Sequence, residues 1–214
     1  DEKLNYKISK IILEGPENKL KLTENTQPAI LTVSYAIFSV LKKEYNFDFK
    51  STKFFAGHSL GEYSALVCSE SLKFEDALFL LFERGKSMQD AVPVGKGGML
   101  AILGSEIEEI NSYIDKVSSP GVCEVANDNA QGQIIVSGNI ESIEELKNIL
   151  KKNKKKCITL PVSAPFHCSL MNPAADKMKE KISLVNFKKP EFEIVGNVTA
   201  LPTTSPENIK KFLV

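Results

Sequence analysis

The sequence predicts an α/β fold in which a small ferredoxin-like subdomain is inserted into a larger one. Three observations carry this. The apolar run KFFAG, 53–57, leads straight into the helical stretch SLGEYSALVCSE, as a strand feeding a helix does. Between 97 and 162 the segments GGMLAIL, EIEEINSYIDKV, CEVAND, QIIVSGN, ESIEELKNILKKN and CITLPV read strand, helix, strand, strand, helix, strand, the ferredoxin-like βαββαβ order. Helix, strand and helix patterns then resume to the end of the chain. The large part therefore comprises 1–94 and 165–214, and the inserted part 95–164.

Each element has its own sequence signal. TQPAILTVSYAIFSVLKKEY, 26–45, places Pro28 in a first turn and is apolar nearly all round, so a helix buried on most sides is expected. KFFAG is expected to be a short buried strand. The helix after it carries Glu62 in its first turn, where the positive helix end favours an acid. FEDALFLLFERGKSMQDA, 74–91, repeats Phe74, Ala77, Leu78, Leu81, Phe82 and Gly85 at three- and four-residue spacing. Arg84 then falls on the flank of that stripe, where it borders a cleft. Asn129 to Gly132 read as the turn between the two middle strands. LMNPAADKMKEKISLV is helical, EFEIVGN is a strand, and SPENIKKFLV opens a helix with Ser205 as cap and Pro206 first inside. KKNKKK, 151–156, fits a solvated helix end and turn; attraction of an acidic partner or of phosphates is the alternative.

Composition narrows the function. Hydrophobic residues make up 43% and charged residues 25%, ordinary for a folded soluble domain. Formal net charge is zero, which removes the electrostatic case for a nucleic-acid partner. The most apolar window, AILTVSYAIFSVL, is shorter than the about 20 residues a bilayer span needs, so no membrane anchor is expected. DEKLNYKISK has the features of neither a secretory signal nor a transit peptide. Cys68, Cys123, Cys157 and Cys168 form no CxxC pair and no metal-type spacing with the two histidines, so reduced thiols and no metal site are expected. All but one of the 27 basic residues are lysine, a bias that fits an AT-rich genome. The exception, Arg84, offers the planar fork that lysine lacks and suits a carboxylate or phosphate.

FFAGHSLGEYSAL, 54–66, contains G-x-S-x-G between a strand and a helix, the context that confirms a nucleophile elbow. Ser59 is the nucleophile, the flanking glycines leave space for the turn and for substrate, and the Leu60 N–H points where an oxyanion forms. A serine nucleophile needs a base. His58 is adjacent to Ser59 and diverges from it at a sharp turn, so it shapes the pocket. His167, in the loop VSAPFHCSLM, is the candidate base.

Together GHSLGEYSAL, ERGKSMQDAVP, TQPA, ANDNAQGQ, PVSAPFHCSLM and PAADKM resemble the malonyl-CoA:acyl carrier protein transacylases of dissociated fatty-acid synthesis, over essentially the whole chain in order. The resemblance implies an α/β-hydrolase-like large subdomain with a parallel sheet and an inserted ferredoxin-like one. It implies that Ser59 is acylated, that His167 is its base and that Arg84 binds the malonyl carboxylate. Gln27 supports Arg84 or the substrate, and Asn127 and Asn129 match the family's polar pocket wall. Met88, one turn beyond Arg84, either lines the pocket or fills the core. Phe166 is the residue found before the histidine in malonyl-selective members.

Malonyl-CoA is then the substrate, acyl carrier protein the partner, and no cofactor is bound. A monomer in the bacterial cytoplasm is expected, with the plastid stroma as alternative. The family's N-terminal Gly-Gln-Gly-x-Gln loop and its C-terminal segment have no counterpart here, so a fragment truncated at both ends, inactive or weakly active alone, is expected. Competing readings are an acyltransferase domain of a polyketide synthase, a serine esterase or thioesterase, and a degenerate scaffold that only docks carrier protein.

Overall fold

The computed structural model describes residues 1–214, which form two compact units, Asp1–Lys86 with Asp176–Val214, and Ser87–Ala175. The first unit begins with two short helices, α1 (Ile8–Glu14) and α2 (Glu17–Leu20), in a region without a strong periodic signal. It continues with the long helix α3 (Thr23–Lys43), strand β1 (Phe54–Ala56) and helix α4 (Gly61–Cys68). Helix α5 (Phe74–Ala91) begins in this unit and ends in the second. The first unit also holds most of helix α8 (Asn172–Ser183), strands β6 (Glu193–Val195) and β7 (Pro202–Thr203), and helix α9 (Pro206–Phe212).

Its sheet has the order β1-β6-β7. β1 and β6 run parallel, with Phe54 opposite Glu193 and Ala56 opposite Val195, and β7 joins β6 antiparallel. Leu31, Tyr63, Leu66, Leu80, Leu81, Ile194 and Ile209 form the buried centre of this unit. The Ser205 hydroxyl caps α9 by accepting the Asn208 N–H, and Pro206 stands in the first turn.

Three expectations need correction here. Pro28 is the sixth residue of α3, not a first-turn residue, because the helix already starts at Thr23. Nor is α3 buried on most sides. Pro28, Ala29 and Leu31 face the core, whereas Ile30, Val33, Ile37, Val40 and Leu41 form an exposed apolar stripe. Strand β1 is likewise only partly buried, since it pairs with β6 along a single edge and Phe54 is 40% exposed. Local hydrophobicity reports what an element could bury, and burial is decided by what packs against it.

The second unit contains β2 (Gly97–Leu103), α6 (Ile107–Ile114), β3 (Cys123–Ala130), β4 (Gln133–Asn139), α7 (Ile140–Lys152) and β5 (Lys156–Thr159). The antiparallel sheet order β3-β4-β2-β5 is the ferredoxin-like arrangement of a βαββαβ chain. Alternation along the strands sorts the side chains. Leu100, Ile102, Ile134 and Val136 pack under α6 and α7 with Ile110, Ile143, Leu146 and Leu150. Met99, Ala101 and Ile135 point to the other face, where Ala126, Leu160 and Phe166 cover them. The lysine run ends α7 and turns the chain into β5, and Lys155 pairs with Glu109 at 2.6 Å.

Asn129 lies in β3, not in the turn, which is made by Gln131 and Gly132 alone. β3 carries two register shifts, between Val125 and Asn127 and between Asp128 and Ala130. The first has a chemical consequence. In an unbroken ladder Ala126 would pair with Ile135 and Asn127 would share the helix-covered apolar face with Val125; the bulge skips Ala126 and pairs Asn127 with Ile135, on the face that carries Phe166.

Candidate active site

In the first unit the chain leaves β1 at Ala56 and enters α4 at Gly61, so four residues make the whole turn. Ser59 sits at its apex with φ +53°, in the left-handed region that non-glycine residues enter at a cost of about 1–3 kcal/mol. The two glycines play different parts. A Cβ on Gly57 would lie 2.0 Å from the Gly61 carbonyl oxygen, so the turn closes only around glycine there. A Cβ on Gly61 would meet nothing within 4 Å, so the second glycine opens free space beside the serine. The first α4 hydrogen bonds run from Gly61 N–H to His58 and from Glu62 N–H to Ser59, and the Leu60 N–H precedes them at the positive end of the helix.

Three helices bring polar groups to this turn. Gly85 lets α5 lie directly on α3, since a Cβ there would fall 2.5 Å from the backbone of Thr23 and Glu24. The neighbouring Arg84 is thereby set over Gln27. Gln27 Nε2 donates to Thr23 Oγ1 at 2.9 Å, Arg84 Nη1 donates to Gln27 Oε1 at 2.7 Å, and Arg84 Nη2 donates to Ser59 Oγ at 3.1 Å. The glutamine is buried and its orientation is fixed by Thr23, so one prong of the guanidinium is anchored and the other reaches Ser59. Burial lowers the Arg84 pKa, while Tyr63 and Glu62 oppose that shift. Glu62, only 3% exposed, has its pKa raised by burial, against which bonds from Asn197 and the charge of Arg84 act.

Asn197, just after β6, has no distinguishing signal in the sequence, yet its side chain holds the turn. Its Nδ2 donates to the Gly57 carbonyl at 2.7 Å and its Oδ1 accepts the Ser59 N–H at 2.9 Å. Its own N–H and Nδ2 both donate to Glu62 Oε2. His58 is exposed and borders a hollow lined by Ala56, Gly57, Val195, Gly196, Asn197 and Ala200.

The second unit carries the remaining candidates. His167 has φ +59° in a loop held at several points. Pro165 is buried against Gly97, where a Cβ would come within 2.3 Å of the proline ring. Cys168 Sγ donates to the Pro165 carbonyl at 3.2 Å. The Ser169 N–H and hydroxyl donate to the Glu124 carboxylate on β3 at 2.8 and 2.7 Å. Gln89 donates to the Ser163 carbonyl at 3.3 Å. Met88 is buried with Val92, Met171 and Ala174, and Phe166 packs on that cluster. Asn127 is half-buried and Asn129 exposed. The four cysteines are free thiols, and burial pushes Cys68 and Cys123 up to about 11. No group of three or more His, Cys, Asp or Glu is placed to hold a metal ion, and no helix is long and apolar enough to cross a membrane.

Residues 1–211 match the family model described as the acyl transferase domain. The malonyl CoA-acyl carrier protein transacylase of Bacillus subtilis is 42% identical over 216 residues, covering 100% of this chain and 67% of that protein. The crystal structure of the acyl-carrier-protein-S-malonyltransferase from Bartonella henselae superposes with a TM-score of 0.94 at 40% identity, covering 100% of this chain and 68% of that one. A type II polyketide acyl-carrier protein in complex with its malonyl-transacylase is similar at a TM-score of 0.92 and 38% identity, covering 99% of this chain and 68% of that one.

Proposed function

We propose that this chain, which belongs to the acyl transferase domain family, transfers a malonyl group from malonyl-CoA to the phosphopantetheine thiol of acyl carrier protein in fatty-acid synthesis. The observation that carries the choice of acyl group is the 3.1 Å contact between Arg84 Nη2 and Ser59 Oγ. A malonyl group holds its free carboxylate one methylene from the thioester carbonyl. A guanidinium that recognises it must therefore stand beside the nucleophile, and a fork anchored by Gln27 does so. A longer acyl chain would leave that charge unpaired.

In the first half-reaction His167 takes the Ser59 proton as the hydroxyl oxygen attacks the thioester carbonyl. The tetrahedral oxyanion accepts the Leu60 N–H at the start of α4, and collapse expels the coenzyme A thiolate, which receives the proton from His167. The carrier-protein thiol then attacks the malonyl-serine ester, with His167 as base and then acid. The two steps exchange one thioester for another through an ester, so no external energy source is needed. Arg84 binds the carboxylate throughout, supported by Gln27. His58, Phe166, Met88, Asn127 and Asn129 border the acyl and pantetheine groups. The reaction takes place in the cytoplasm on a monomer.

Intact-protein mass measurement on the natural protein that contains this chain, after mixing with malonyl-CoA, should show one malonyl group, mapped to Ser59, that leaves on addition of holo acyl carrier protein and persists in water alone. Ser59→Ala and His167→Ala should not acylate. An unchanged preference for malonyl-CoA over acetyl-CoA in Arg84→Ala would overturn the carboxylate clamp.

A further inference from the structure

We infer that Asn197, backed by the carboxylate of Glu62, is the positioning residue that holds Ser59 in its reactive conformation. The inference rests on Ser59 being the acylated nucleophile, but its geometry stands apart from the acyl group.

Ser59 occupies a strained backbone conformation that persists only where its surroundings over-determine it. The β1–β6 ladder ends at the pairing of Ala56 with Val195. Beyond that point Asn197 continues it with a side chain, donating to the Gly57 carbonyl and accepting the Ser59 N–H, the two peptide groups that flank His58. Only a carboxamide presents a donor and an acceptor side by side, and the two backbone partners require opposite ends of it, so the amide has one orientation. Glu62 Oε2 accepts both the Asn197 N–H and its Nδ2, which fixes where the carboxamide sits. The carboxylate is buried on α4 one residue past Gly61, so the same latch ties the strand side of the turn to the helix side. Ser59 Oγ is then presented to Arg84 by a backbone that cannot relax toward the ordinary right-handed region.

The test uses the natural protein that contains this chain and reads Ser59 reactivity in two ways: acylation rate at saturating malonyl-CoA, and labelling rate with a fluorophosphonate probe, which needs no malonyl recognition. Asn197→Ala should slow both by at least tenfold, while malonyl-CoA affinity, measured on a Ser59→Ala background, changes by less than threefold. Asn197→Asp should be as poor as Asn197→Ala, because it sets a second carboxylate against Glu62. Adding Glu62→Gln to it relieves the clash with Glu62 but leaves a carboxylate oxygen facing the Gly57 carbonyl, so both rates should stay at least tenfold below the wild type. Rates within threefold of wild type in Asn197→Ala would overturn the inference. So would a loss of affinity that matches the loss of rate, or a double variant within threefold of the wild type. If the wild type reacts with the probe but takes no malonyl group, the proposed function fails while the positioning role is still decided by the probe.

Discussion

Arg84 Nη2 donates to Ser59 Oγ at 3.1 Å while Arg84 Nη1 donates to Gln27 Oε1 at 2.7 Å, so one guanidinium joins the buried glutamine to the serine of the turn. A two-pronged charged contact with a carboxylate contributes about 2–4 kcal/mol in a partly dry cleft. Arg84→Ala is therefore expected to lower kcat/KM for malonyl-CoA by roughly two orders of magnitude and to narrow the preference for malonyl-CoA over acetyl-CoA. Arg84→Lys keeps the charge without the fork and should fall between the two. Parallel kinetics with both thioesters measure this.

Gly85 sets two opposing effects against each other. In the interior of an ordinary helix, glycine to alanine stabilises by about 1 kcal/mol. Here the new methyl would lie 2.5 Å from the backbone of Thr23 and Glu24, which cannot swing aside as a side chain could. Overpacking costs about 1–3 kcal/mol and prevails. Gly85→Ala should lower the urea midpoint and, by shifting α5 off α3, raise KM for malonyl-CoA.

The left-handed backbone at Ser59 has a thermodynamic signature that needs no substrate. Ser59→Ala retains a Cβ in that conformation, whereas Ser59→Gly removes it. The glycine variant should unfold about 1 kcal/mol higher than the alanine variant, although both are inactive. Denaturant titration of the two side by side gives the difference.

In the second unit, the Ser119 hydroxyl, then the Ser118 N–H and hydroxyl and the Ser119 N–H, all stabilise the Glu145 carboxylate, which pulls its pKa down to about 2 from the ordinary 4.5. A carboxyl with a depressed folded pKa stabilises fully above its unfolded value and loses that contribution as pH falls through the folded one. Melting temperature should therefore fall less steeply between about pH 4.5 and 2 in Glu145→Gln than in the wild type, with little difference in that slope at neutral pH.

Much of this was legible in the sequence where a local pattern suffices. Helix α5 runs from Phe74 to Ala91 as its apolar stripe predicts, and the βαββαβ order gives the sheet found. Ser59, Arg84 and Gln27, far apart in the chain, do meet. What escaped depends on partners distant in sequence. Asn197 follows a short strand like many other asparagines, and only the parallel pairing of β1 with β6 brings it to the serine turn. The extra residue at Ala126 is invisible to alternation, which presumes an unbroken ladder. Likewise α3 and β1 are apolar enough to be central elements, but sequence alone could not say that one side of each is uncovered.

That uncovered side of α3 governs how the polypeptide behaves at the bench. Ile30, Val33, Ile37, Val40 and Leu41 form a continuous oily seam. A surface of this kind drives self-association and dye binding in proportion to concentration. The 214-residue chain should therefore elute earlier from a sizing column as it is concentrated, brighten an environment-sensitive dye while natively folded, and become better behaved with a charge at Ile37, which is already 58% exposed.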